Sequence, residues 1–176
     1  ETGGEAVALV RPKSKNMDQI NFRPIGIIHS PFSELEGMPI QPSAGKGTIG
    51  HILINESYVE GLKDLDGFSH ICLIYHFHLS HSYSLKVVPF LDDQIRGVFS
   101  TRAPKRPNPI GLSVVKLNKI VGNRLEIENV DILDGTPLLD IKPYVPDMDE
   151  VDSSRIGWLS KHIQEIYSKK SDQRFK

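Results

Sequence analysis

Cysteine is almost missing from this sequence: Cys72 is the only one in 176 residues. A single cysteine excludes an internal disulfide and a multi-cysteine zinc site. Because Cys72 lies in an apolar run, we expect a buried, inert thiol, since reactive thiols need exposure and nearby positive charge. The scarcity of cysteine agrees with a reducing cytoplasm, which we take as the expected location.

Long apolar runs and a strong charge of either sign are also missing. The longest apolar-rich stretch, residues 71–79, has the length of a strand and carries two histidines. A membrane-spanning helix needs about 20 apolar residues, so we expect no membrane association. The net charge is −1, from 21 basic and 22 acidic residues, so any contact with nucleic acid has to be local.

The common nucleotide and nucleophile motifs do not occur where they would be needed. No GxGxxG follows a predicted strand, and neither GxxxxGK[ST] nor Gly-x-Ser-x-Gly is present. A Rossmann cofactor site, a phosphate-binding loop and a hydrolase elbow are therefore unsupported.

Short apolar and β-branched runs, separated by Gly, Pro, Asn and Asp, dominate the chain from residue 22 onward. They predict strands at residues 25–28, 46–54, 70–79, 86–90, 97–101, 110–121, 124–128 and 138–145. Short strands with frequent turns are typical of a barrel or sandwich and not of βαβ units. We predict a mainly β protein: a single small β-barrel with a short helix and a C-terminal helix.

The two predicted helices come from capping signals and apolar spacing. Ser57 and Glu60 form a capping box that opens a short helix, and Ser153 or Ser154 caps the C-terminal one. The apolar stripe of the second helix consists of Ile156, Leu159, Ile163 and Ile166. The stripe either packs on the barrel or forms a subunit interface.

Three regions follow from this pattern. Residues 1–16 do not begin with methionine and differ in character from the rest, so we expect a tag remnant or a disordered leader. Residues 17–150 form the predicted barrel domain, and residues 151–176 form the C-terminal helix and tail.

The most informative segment is the proline-rich stretch at residues 101–109. Its three prolines exclude a helix and favour a stiff, extended ribbon. The ribbon carries Arg102, Lys105 and Arg106, whose cationic groups bind carboxylates or phosphates, and Asn108, which can donate and accept hydrogen bonds. On composition alone, a rigid surface turn with solvated charges is the favoured interpretation of the segment.

Two further clusters carry polar chemistry. His76 and His78 share one face if the strand continues, which suits a metal site, a hydrogen-bonded rim or a ligand pocket. Asp134 lies in an Asp-Gly-Thr-Pro turn, where it either accepts hydrogen bonds from a ligand or braces the turn. Tyr144 follows Asp140 and Lys142 on one face of the next predicted strand, as an acid–base or stacking candidate.

Four stretches, taken in order, resemble the TrmO family, also called TsaA-like methyltransferases. They are PIGIIHSP at residues 24–31, LDGFSH at 65–70, GVFSTRAPKRPNPIGLS at 97–113 and DILDGTPLLDIKPYVP at 131–146. The resemblance implies a β-barrel homodimer that uses S-adenosyl-L-methionine. It also implies methyl transfer to N6 of N6-threonylcarbamoyladenosine in the tRNA anticodon loop, next to the anticodon.

The resemblance also implies site residues. Those expected to bind the cofactor are Gln41, Pro42, His78, Leu79, Arg102, Leu112, Asp134, Gly135, Thr136 and Pro137. Where bacterial members tend to have glutamine, this chain has Leu79, so a contact there should come from the backbone. We predict Lys105, Arg106 and Asn108 as substrate-binding residues, and Asp134, Tyr144 and Asn108 as catalytic candidates.

Two other functions fit parts of the sequence. A non-catalytic RNA-binding barrel would use the basic ribbon as a clamp and bind RNA with strong salt dependence. A metal-dependent enzyme would use His76 and His78, although we predict no metal in the site.

Overall fold

The computed structural model describes residues 19–152 and 155–175, so the predicted leader and the capping residues Ser153 and Ser154 lie outside the described residues. The strands are β1 (Gly26–His29), β2 (Ile49–Ile54), β3 (His70–His76), β4 (Lys86–Val87), β5 (Arg96–Gly97), β6 (Ile110–Val121), β7 (Arg124–Glu128) and β8 (Thr136–Pro143). A single α-helical turn, α1 (Pro146–Asp149), follows β8 among the described elements. The prediction of a mainly β chain is confirmed.

Six strands close into an antiparallel barrel in the order β1-β2-β7-β6-β3-β8, while β4 and β5 pair separately. The clean alternation of β7 places Leu125 and Ile127 inside, as its sequence predicts. The predicted small β-barrel is therefore confirmed.

The core fills the interior of this barrel. Its fully buried side chains are mostly branched aliphatic residues, including Ile28, Ile52, Leu73 and Val115. Burial of each such side chain contributes about 1.5–3 kcal/mol to the stability of the fold. The core therefore keeps the strands of the barrel in place.

The short helix begins earlier than predicted. It is a 3-10 helix, Glu56–Leu62, and its cap is Asn55, whose side chain accepts a 3.0 Å hydrogen bond from the Ser57 backbone amide. The capping-box prediction at Ser57 is wrong because Asn55, two residues upstream, offers its carbonyl oxygen first.

The C-terminal segment is helical but not α-helical. It consists of the 3-10 helices Gly157–Lys161, Ile163–Tyr167 and Gln173–Phe175. Gly157, the first residue of these helices, has φ of 60°, in the left-handed region, so no regular α-helix runs through that position. Of the predicted apolar stripe, Ile156 and Ile163 are exposed and Leu159 is half-buried, and none of these three belongs to the barrel core.

In the described part of the chain, no helix has the length and apolar character that crossing a membrane requires.

Candidate functional site

A cavity of about 320 Å³ opens at one end of the barrel. At this end β3 ends while β6 and β8 begin, so residues from all three strands contribute to its wall. The remaining wall comes from residues in five segments: 35–41, 77–80, the proline-rich segment, 131–133 and, with Phe90 beside it, the C-terminal residues Ser171, Asp172 and Phe175. The lining is mostly apolar with a few polar groups, which is the usual character of a small-molecule site.

Six of the predicted cofactor residues meet in this cavity. They are Gln41, His78, Leu79, Arg102, Leu112 and Thr136. Arg102 donates a 3.2 Å hydrogen bond from Nη1 to Oε1 of Gln41, so two segments far apart in sequence are joined at the rim. Thr136 is buried and donates to the Leu133 carbonyl at 2.7 Å, which fixes the start of β8.

His78 and Leu79 lie beyond the end of β3, which stops at His76. The Phe77 backbone amide still donates to the Pro109 carbonyl at 2.8 Å, and the chain then turns because the Ser80 backbone amide donates to the Phe77 carbonyl at 2.9 Å. Burial lowers the pKa of His78, so its imidazole is neutral near pH 7. His76 and His78 therefore do not continue one strand face, and the described residues contain no group of three or more His, Cys, Asp or Glu able to hold a metal.

Asp134 lies beside the cavity and not in its lining. Its Oδ1 accepts hydrogen bonds from the Ser30 backbone amide at 3.1 Å and pairs with Nδ1 of His29 at 3.0 Å. The Ser30 amide, together with His29, lowers the pKa of Asp134, so it is a weak proton acceptor. Gly135 follows with φ of 75°, and Pro137 continues into β8.

Three other predicted residues stand apart from the cavity lining. Tyr144 pairs with His70 at the start of β3, roughly 16 Å along the strand from the cavity. Its hydroxyl donates to Glu150 at 3.1 Å. Asn108 is exposed on the ribbon, and Pro42 begins the 3-10 helix that follows Gln41. The structure therefore does not bring Tyr144 together with the cofactor residues.

Arg106 lines the cavity but also holds its own loop. Its Nη1 donates to the Thr101 carbonyl at 2.8 Å and to the Val98 carbonyl at 3.1 Å. Its guanidinium also lies 5.8 Å from the centre of the Phe99 ring. Lys105, its neighbour, is half-buried on the same loop. These contacts give the ribbon the stiffness that its prolines predict, and they show that the charge of Arg106 is not merely solvated.

Replacing Arg106 with alanine should destabilise the protein by about 2 kcal/mol, because two backbone carbonyls lose a charged donor. Replacement by lysine should recover only part of the loss, since one ammonium cannot reproduce the planar fork. Thermal unfolding measures both variants. A melting temperature unchanged in the alanine variant would show that the carbonyl contacts are dispensable.

Sequence reasoning missed a buried polar chain at the cavity wall. The Ser113 hydroxyl donates to Oδ1 of Asp131 at 2.7 Å and lies 3.1 Å from the Tyr75 hydroxyl. Tyr75 and Asp131 both line the cavity. Burial raises the pKa of Asp131 to about 6, against the hydrogen bond from Ser113 and the charge of Arg102, which lower it.

A second missed feature is the C-terminal wall. Ser171 bonds through its backbone amide to the Met38 carbonyl at 2.9 Å, and its hydroxyl donates to the Leu35 carbonyl. Phe175 is buried and packs edge-on against Phe90, with the ring centres 5.0 Å apart. The segment thus closes one side of the cavity.

Comparisons with known proteins place the chain among relatives of known family. The sequence model of the tRNA-methyltransferase O N-terminal domain matches residues 27–150. The chain is 54% identical over 156 residues to a "probable S-adenosyl-L-methionine-binding protein" of Pyrococcus abyssi, covering 89% of this chain and 85% of the relative. It is 36% identical over 140 residues to the tRNA (adenine(37)-N6)-methyltransferase of Escherichia coli, covering 74% of this chain and 60% of that protein.

Solved structures of the same family resemble this chain. The crystal structure of TrmO from Pseudomonas aeruginosa superposes with a TM-score of 0.67 at 38% identity, covering 80% of this chain and 63% of that one. The chain therefore spans somewhat less than two thirds of the bacterial proteins that it matches.

Proposed function

Because the chain belongs to the TrmO family of tRNA methyltransferases, we propose that it methylates tRNA with S-adenosyl-L-methionine as the methyl donor. The target is N6 of N6-threonylcarbamoyladenosine, next to the anticodon. The observation that carries this proposal is the cavity at the barrel end, where Arg102, Gln41, His78 and Thr136 converge although they are distant in sequence.

The chemistry of the cavity fits the proposed cofactor. S-adenosyl-L-methionine carries a carboxylate, positively charged groups and an apolar ring system, and when bound it supplies an activated methyl group. Arg102 offers a planar fork for the carboxylate, with Gln41 beside it. Phe77, Leu112 and Ile132 supply apolar surface. The cavity wall therefore carries groups of both charges, because Asp131 lines it together with Arg102.

The protein's contribution to the reaction is mainly positioning and the exclusion of water. Holding the target nitrogen in line with the methyl group is worth about 7–11 kcal/mol. The apolar wall keeps water from the reacting atoms, and the Arg106 contacts keep Arg102 on a fixed loop. Asn108 is exposed on that loop and is suited to read the carbamoyl group. Catalytic roles for Asp134 and Tyr144 stay predictions, and their observed contacts favour structural roles.

The tRNA and a second copy of the chain are the proposed partners. Lys105 and Arg106 lie on the loop beside the cavity, where they suit the threonyl carboxylate or a backbone phosphate. Leu79, Phe99 and Leu112 are exposed apolar residues on or next to this rim, which favours a homodimer interface there. We place the protein in the cytoplasm, where tRNA modification takes place.

The proposed function predicts strict dependence on the threonylcarbamoyl group. Calorimetry should detect S-adenosyl-L-methionine binding, and mass spectrometry of tRNA nucleosides should detect one added methyl group. Transcripts without the threonylcarbamoyl group should be methylated at least about a hundredfold more slowly, because the carboxylate and amide that the loop binds are missing.

Two outcomes would contradict the proposal in different ways. Equal methylation of modified and unmodified tRNA would exclude the proposed substrate while leaving the methyltransferase activity. Salt-dependent RNA binding without any affinity for S-adenosyl-L-methionine would support the non-catalytic RNA-binding barrel instead.

A further inference from the structure

Asp131 contributes a negatively charged group to the cavity wall. It is largely enclosed by protein, yet it lines the cavity. Its Oδ1 is held by the Ser113 hydroxyl at 2.7 Å. No basic side chain forms an ion pair with it among the residues that the structure describes. An enclosed carboxyl without a cationic partner is costly when ionised.

The sequence builds this arrangement on two paired strands. Tyr75 of β3 lies opposite Gly111 of β6, and a Cβ atom at Gly111 would overlap the Tyr75 ring. The glycine therefore allows the ring to lie flat across β6. Its hydroxyl then reaches Ser113, two residues along the same inward face, at 3.1 Å. Tyr75 and Ser113 are thus fixed by the barrel strands, and Asp131, in the connection between β7 and β8, is held to them by the Ser113 hydroxyl.

The charge around Asp131 makes the carboxyl responsive to a bound cation. Burial raises the pKa of Asp131 to about 6, and burial also raises the pKa of Tyr75, which stays neutral. The positive charge of Arg102 lowers the pKa of both Asp131 and Tyr75. His78, Arg106 and Asp172 are the other titratable groups on the cavity wall. Asp172 pairs with Arg174 at 2.7 Å, so it is already neutralised.

We infer that Asp131 recognises the positively charged part of the cofactor, and that cofactor binding displaces a proton from its carboxyl group. This inference rests on the proposed function, since it assigns a residue to the same cavity. A cation beside Asp131 supplies the missing partner and favours the ionised carboxylate. The protonated carboxyl then becomes a carboxylate paired with the cofactor, and the proton passes to the buffer.

The sign of the pH dependence follows from linkage. In the free protein Asp131 is mostly protonated at pH 5 and mostly ionised at pH 7, because its pKa is about 6. Binding should release close to one proton at pH 5 and almost none at pH 7, and affinity should fall roughly tenfold between pH 7 and pH 5. The affinity for the cofactor is therefore lost as the pH falls through the pKa that Asp131 has in the free protein.

Calorimetry of the whole chain with S-adenosyl-L-methionine tests this inference. Titrations at pH 5 and at pH 7, each in two buffers of different ionisation enthalpy, give the number of protons released on binding. This readout does not depend on enzymatic activity. In Asp131→Asn the proton release at pH 5 should disappear and the affinity should become nearly independent of pH. In Ser113→Ala, loss of the hydrogen bond should raise the pKa of Asp131 and move the pH midpoint upward.

Controls separate the possible failures. Asp140→Asn removes the same charge from a residue on β8 that pairs with Lys142 outside the cavity, and it should keep the proton release of the wild type. The melting temperature of free Asp131→Asn should exceed that of the wild type at pH 7 and match it at pH 4, which also shows that it folds. S-adenosyl-L-homocysteine lacks the sulfonium charge but keeps the ammonium. If this ligand still releases a proton, Asp131 contacts the ammonium group. If it releases none, Asp131 contacts the sulfonium.

Three results would overturn the inference. They are pH-independent binding by the wild type, unchanged proton release in Asp131→Asn, and loss of proton release in Asp140→Asn. A pH dependence that survives in Asp131→Asn would assign the titration to another wall residue, such as His78. Complete absence of S-adenosyl-L-methionine binding by the wild type would instead contradict the proposed function itself.

Discussion

Replacing Arg102 with alanine should weaken S-adenosyl-L-methionine binding roughly a hundredfold, or about 2.7 kcal/mol. The guanidinium lies on the cavity wall, donates to the neutral amide of Gln41, and forms no ion pair with a carboxylate of the described residues. It is therefore available for a ligand carboxylate. Calorimetry at pH 7 measures the loss, and Arg102→Lys should recover part of it, because lysine keeps the charge and loses the fork.

The Arg102 variant also has an indirect signature. The charge of Arg102 lowers the pKa of Asp131, so its removal should move the pH midpoint of cofactor binding upward. Arg124→Ala is the matched control, since Arg124 is an exposed arginine on β7 outside the cavity lining. Unchanged affinity in Arg102→Ala, with the control also unchanged, would remove Arg102 from the cofactor site.

The barrel was predictable from sequence because its strands carry their signals locally. The predicted strands at residues 110–121 and 124–128 coincide with β6 and β7. Alternation fixes which side chains point inward, and Gly122 and Asn123 mark the turn between them. The prediction at residues 70–79 ran three residues too far. The strand ends at His76 because the Ser80 backbone amide closes a turn onto the Phe77 carbonyl, and the apolar pattern through Leu79 hides that turn.

The candidate site was predictable only in part. The resemblance selected residues that the fold does bring together, such as Gln41 and Arg102. It directed attention to Asp134, whereas the enclosed carboxyl on the cavity wall belongs to Asp131. A signal was present, since Asp131 stands between Val130 and Ile132 in an apolar run, and a carboxyl in such a run indicates burial. Asp134 stands beside Gly135 in a turn and is exposed.

The role of the C-terminal segment was not predictable from apolar spacing. Helical periodicity selected Ile156 and Ile163, which are exposed. The anchoring contacts come from isolated residues: Trp158 donates to the Ser100 carbonyl at 2.8 Å, and Phe175 enters a small cluster with Val87 and Val98. Single anchors at irregular spacing leave no periodic pattern, so only the folded structure identifies them.

Replacing Phe175 with alanine should release this segment from the cavity. The buried ring packs against Phe90, and the neighbouring Arg174 donates to the Pro89 carbonyl at 2.6 Å and lies over the Phe90 ring. Loss of a buried phenyl group costs about 3 kcal/mol or more. Because the segment contacts the rim and not the barrel core, the loss should appear as local undocking. Hydrogen exchange should rise at residues 35–41 and 170–175 while β6 and β7 stay protected.

The functional consequence follows from the place of Phe175 on the cavity wall. With the wall displaced, S-adenosyl-L-methionine should bind at least about tenfold more weakly, since docking of the segment must then be driven by the ligand. Phe175→Leu should keep most of the affinity because leucine still fills the cluster. Phe22→Ala, which removes an exposed phenyl group, should change neither exchange nor affinity. Faster exchange without weaker binding would mean that the segment covers the cavity without contributing to it.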